Sequence, residues 1–108
     1  MKKNDICEAE FFYYEKKTVS FLELTKISGL DAEILIELIE SGVFEPEQGE
    51  GPDSWIFSSY AIGTARKALR LKVDFDLLPN GIAIALTYQK RIRELEKRIK
   101  ELECQLMR

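Results

Sequence analysis

The sequence predicts a mainly α fold, a winged helix-turn-helix with a small β-hairpin wing and a long C-terminal helix. Three features predict it. A capping box begins a short helix that stops at Gly29, and a second helix follows at once. Two short β-prone stretches then flank a turn rich in Gly, Pro and Asp. Apolar residues recur with a heptad spacing close to the C-terminus.

Residues 1–17 form an N-terminal extension with the aromatic patch "FFYY" between charged flanks, readable as a strand or a short helix. Residues 18–78 hold the winged helix-turn-helix. Within it "SFLE" is the capping box: the Ser20 hydroxyl accepts from the backbone, and Glu23 reaches back three residues. The helix behind it turns Phe21, Leu24 and Ile27 inward. Asp31 is placed to cap the second helix, which should end near Gly42. Ile34, Leu35, Leu38 and Ile39 make its apolar face, and Glu33, Glu37 and Glu40 fall on the opposite side, with Ile36 at the edge of the acidic stripe.

"VFEPEQ" and "WIF" read as the two wing strands, joined by "GEGPDS". Ser58 or Ser59 can cap a third helix over about 60–75, whose basic core is "ARKALRLK". "LLPNG" breaks that helix, with Asn80 as the expected cap of the last one. The C-terminal helix occupies 79–108. Ile92, Ile99 and Leu106 share one seam position and Leu95 and Leu102 the other, extended backwards by Ala85 and Tyr88. Ile alternating with Leu in this way favours a two-stranded parallel coil, so a homodimer is expected; packing onto the body of the monomer is the alternative.

The chain has 108 residues, 45% hydrophobic and 32% charged, which suits one soluble domain. No apolar run approaches a membrane span or a signal peptide, so a cytoplasmic location is expected. There is no histidine, and Cys7 and Cys104 lie far apart. That removes the usual general base, the Ser-His-Asp triad and a Cys/His metal site. "GEG" is too short and too acidic for a phosphate loop. No enzyme activity, cofactor or metal is expected.

The net charge of −3 hides a polarity: residues 1–60 balance to −8 and residues 61–108 to +5. Between Lys26 and Arg66 stand eight carboxylates and no cation. A helix that enters the major groove in DNA-binding relatives of this architecture therefore repels phosphate here, and attracts a cationic protein surface instead. The third helix carries Arg66, Lys67, Arg70 and Lys72, which keeps a DNA-binding transcription regulator as the competing reading.

"SGVFEP" at 41–46, "SWIFSSYAIGTARKALRLKVDFDL" at 54–77 and "PNGIAIAL" at 79–86, followed by the heptad tail, resemble the CbpM chaperone modulators, small MerR-like proteins. The resemblance spans about 18–106. The N-terminal extension and the long acidic wing "EQGEGPDS" depart from it. It implies a protein that binds the J-domain of a CbpA-type, DnaJ-like co-chaperone and blocks its use of the DnaK chaperone. The residues assigned to that task come from this chain's own pattern. Glu33, Glu37 and Glu40 form an electrostatic face with Ile36 as apolar anchor, and Glu45, Glu47 and Asp53 extend it along the wing. Trp55 reads first as packing between wing and helices, and otherwise as a contact anchor.

Overall fold

The computed structural model describes residues 15–107; the "FFYY" patch and Cys7 lie outside them. Strand β1 (Thr18–Ser20) leads into helix α1 (Phe21–Ser28), helix α2 (Ala32–Glu40), strand β2 (Ile56–Ser58), helix α3 (Ala61–Phe75) and helix α4 (Pro79–Leu106). The fold is mainly helical, as the sequence predicts, and β1 and β2 form a two-stranded antiparallel sheet.

The capping box is formed. Glu23 N–H donates to the Ser20 hydroxyl at 3.1 Å, and Ser20 N–H donates to the Glu23 carboxylate at 2.9 Å. Two orphan donors of the first turn are satisfied reciprocally. Ser20→Ala should cost about 1 kcal/mol, the usual worth of an N-cap side chain, read as a lower midpoint in urea. An unchanged midpoint would show that β1 alone fixes the start of α1. The helix stops at Gly29, whose φ of 84° suits glycine best. A Cβ there would also press on Leu69 of α3 at 3.3 Å, so α1 and α3 approach closely.

Asp31 occupies the N-cap of α2, but its side chain makes no capping bond; its carbonyl accepts from Leu35 N–H. The end of α2 is better tied. Val43 N–H reaches back to the Leu38 carbonyl and Gly42 N–H to that of Ile39, which is a Schellman closure.

The wing differs from expectation. The stretch 43–48 forms no strand and contributes one isolated bridge, Gln48 to Ile56. Pro46 has no N–H to give to a ladder, so the segment bonds only from its last residues. Glu47 and Gln48 N–H both reach the Ile56 carbonyl. The continuous partner of β2 is β1, in the register Thr18–Ser58, Val19–Phe57, Ser20–Ile56.

Tyr60 takes the cap position of α3; the Ser58 hydroxyl accepts its N–H and the Ser59 carbonyl accepts that of Ile62. The last helix is capped at Leu78, not Asn80, with Pro79 in its first turn. Proline's fixed φ fits that position and its missing N–H costs nothing there.

The core is one cluster. Leu24 of α1, Leu35 and Leu38 of α2, Phe57 of β2, Ile62, Ala65 and Ala68 of α3, and Ile82 and Leu86 of α4 are buried together. Leu69 and Leu71 pack on its edge. The alanines of α3 let neighbouring helices come near, while α4 gives only its first two turns to the core.

Candidate functional site

Helix α2 presents the acidic face that the spacing predicts. At about 100° per residue, Glu33, Glu37 and Glu40 fall within roughly 60° of arc, and all three are exposed. Leu35 and Leu38 on the far side are fully buried, and Ile34 and Ile39 pack at the core's edge. This burial fixes the rotation of the helix, and so which residues meet solvent. Ile36 lies about 40° from Glu40 and is half-buried. Its apolar surface is offered beside the carboxylates.

The placement of these charges runs against helix electrostatics. Cations are favoured in the last turn, where unsatisfied carbonyls concentrate negative potential. Helices α1 and α3 obey, with Lys26 and Lys72 there. Helix α2 has no basic residue in its last turn and carries Glu37 and Glu40 instead. Glu37 and Glu40 thus break a local rule at exposed positions.

In the wing, Glu45, Glu47 and Asp53 are exposed. Glu47 is fixed through its N–H to the Ile56 carbonyl, 2.7 Å away. Asp53 sits in the turn at the wing's tip, where Ser54 and Trp55 N–H both donate to the Gly51 carbonyl. The Ser54 hydroxyl accepts from Glu50 N–H at 3.2 Å and closes the loop. None of the seven carboxylates of α2 and wing, Glu50 included, forms an ion pair with a described residue. Their field is therefore uncompensated locally and available to a cationic surface.

Gly49 makes this loop possible. Its φ is 98°, and a Cβ would collide with the backbone carbonyl of Ser54. Gly49→Ala should open the wing and cost about 1–3 kcal/mol, the range for a strained backbone position. A lower melting temperature and a red shift of the single tryptophan's emission would report it; unaltered values of both would refute it.

Trp55 is half-buried. Its ring meets Phe21 at 5.7 Å and Phe57 at 6.3 Å, both edge-on, and Phe57 meets Phe44 at 6.4 Å. The Trp55 carbonyl also accepts from Phe21 N–H. The residue thus pins the wing's return arm to α1 and keeps part of its surface exposed.

The heptad residues do not fold back on the domain. Tyr88, Ile92, Leu95, Ile99, Leu102 and Leu106 are between 45% and 84% exposed. At the base of the stripe Ala85 is half-buried, and the exposed Ile84 lies beside Ser41 at the end of α2. A straight helix of 3.6 residues per turn drifts off a 3.5-residue repeat, and tertiary contacts decide where the drift lands. On the seam's flank, Arg91 pairs with Glu94 at 3.6 Å within the helix. Val73, Phe75 and Leu78, at the junction of α3 and α4, are also exposed and carried no signal in the sequence.

Among the described residues no group of His, Cys, Asp and Glu side chains could hold a metal ion. None of their helices is long and apolar enough to cross a membrane.

Comparison with known proteins agrees with this architecture. The model of the MerR HTH family of regulatory proteins matches residues 19–104. A chaperone modulatory protein CbpM of Coxiella burnetii (strain Dugway 5J108-111) is 38% identical over 81 residues, covering 75% of this chain and 76% of its own. Proteins of the same name from Pseudomonas putida (strain W619) and Pseudomonas entomophila (strain L48) are each 29% identical over 85 residues, covering 79% of this chain and 83% of theirs.

Proposed function

The chain belongs to the MerR HTH family and, within it, to the chaperone modulatory proteins CbpM, and from that membership we propose that it modulates a chaperone system by binding a co-chaperone. The partner is the J-domain of a CbpA-type, DnaJ-like protein in the cytoplasm, and the effect is inhibition. The protein acts by occupying a surface and catalyses nothing.

The observation that carries this reading is the acidic α2, with Glu37 and Glu40 where helix electrostatics disfavours them. A J-domain presents a basic helix to DnaK. Glu33, Glu37 and Glu40 lie along such a helix, Ile36 meets its apolar edge, and Glu45, Glu47 and Asp53 extend the field. Complementary charge of this kind speeds encounter and selects the partner more than it adds raw affinity. Trp55 adds an aromatic edge where wing meets α1. The exposed seam of α4 pairs with a second copy, so one modulator presents two acidic faces.

A regulator that reads DNA is the competing reading, suggested by the family's name and by Arg66, Lys67 and Arg70, which are exposed on α3. Against it stands a groove-facing helix with no cation, since phosphate contacts supply most non-specific affinity. The discriminating measurement is calorimetric titration of the full chain with the J-domain from the same organism, at two salt concentrations. Saturable binding that weakens with salt is expected. Absence of a complex at both concentrations sinks the proposal, and retention of duplex DNA at physiological salt replaces it.

A further inference from the structure

The positive half of the molecule holds a cleft that the acidic face does not explain. It lies between α3 and α4, where α2 ends, and encloses about 390 Å³. Each helix places a threonine one turn before a cation, Thr64 before Lys67 and Thr87 before Lys90, and Arg93 follows one turn further on. Val43 and Leu86 supply apolar lining, and no carboxylate lines the cleft. None of the three cations forms an ion pair with a described residue.

Three like charges converging without a counter-charge repel one another, in a protein that is acidic overall. The nearest carboxylate along α4, Glu94, is paired with Arg91 at 3.6 Å and not with Lys90 or Arg93, and no Asp or Glu occurs from 77 to 93. An anion of two or more charges would relieve it, and its oxygens would meet two hydroxyl donors as well as the cations. The volume falls within the range of small-molecule sites, and the apolar lining suits a ligand with a non-ionic body.

The geometry points to this cleft as a binding site for a phosphorylated small molecule, held by Lys67, Lys90 and Arg93 with Thr64 and Thr87. Duplex DNA offers the same phosphate chemistry, but the eight carboxylates between Lys26 and Arg66 oppose its approach. The site is independent of the partner surface on α2.

Inorganic pyrophosphate and ADP are titrated into the full chain by calorimetry, with sodium chloride at matched ionic strength as control. Saturable binding of at least one is expected. Lys67→Gln and Arg93→Gln should each weaken it about tenfold or more, as loss of a charge-assisted contact does. Without ligand, both variants should melt at or above the wild-type temperature, because a repulsion has been removed. No saturation at millimolar concentration overturns the site, as does binding that the variants leave intact. A 20-base-pair duplex that binds through these residues where pyrophosphate does not would assign the cleft to nucleic acid and overturn it equally.

Discussion

Glu37→Lys together with Glu40→Lys is expected to weaken the complex with the J-domain by about 10- to 100-fold at low salt, mostly through a slower association rate. The double reversal replaces two negative charges by two positive ones and takes the net charge from −3 to +1, at the centre of the face that should meet a basic helix. Both side chains are exposed, so the core that orients α2 is untouched. Lysine in the last turn suits the helix dipole better than glutamate, so the melting temperature should hold or rise. A protein that becomes no less stable while losing its partner separates binding from folding. Raising the salt should bring wild type and variant together, because exposed charges are screened beyond about 8 Å at physiological ionic strength. Equal affinities at low salt would remove this face from the interaction.

If the α4 seam pairs two copies as proposed, Leu95→Lys with Ile99→Lys should turn that dimer into a monomer. Both residues lie on the exposed seam of α4, and a self-paired seam buries each of them twice. Removing four buried aliphatic side chains and inserting charges should raise the dissociation constant by about 1,000-fold or more. Light scattering should then report a mass of 12.5 kDa in place of one about twice as large. The domain core should melt as before, since neither residue contributes to it. A wild-type chain that is already monomeric at tens of micromolar would refute the pairing. If the dimer presents two acidic faces, the monomer should still bind one J-domain with the same intrinsic affinity.

Helix starts and stops were legible where side chain and backbone cooperate over three or four residues. Ser20 with Glu23, and Gly29 in its left-handed turn, are of that kind. The acidic stripe of α2 was legible for the same reason: its apolar face has the period of the helix, and burying that face leaves Glu33, Glu37 and Glu40 outside. The cap of α4 was misplaced onto Asn80 because a good capping side chain stands beside a proline, and the fixed φ of Pro79 set the boundary instead.

The sequence by itself determined the helices, their order, the polarity of charge along the chain and the apolar seam near its end. These depend on neighbours within one or two turns. Only the tertiary structure decided that β1 pairs with β2, because Thr18–Ser20 is too short to show a strand period and its partner lies nearly forty residues away. It alone reduced the wing to one bridge, set Trp55 between Phe21 and Phe57, and left Ile84 exposed one turn before Tyr88. It also brought Lys67 of α3 beside Lys90 and Arg93 of α4, which no spacing along the chain announces. Local periodicity fixes which face a helix buries, whereas closing long loops and packing one helix on another fix what that face meets.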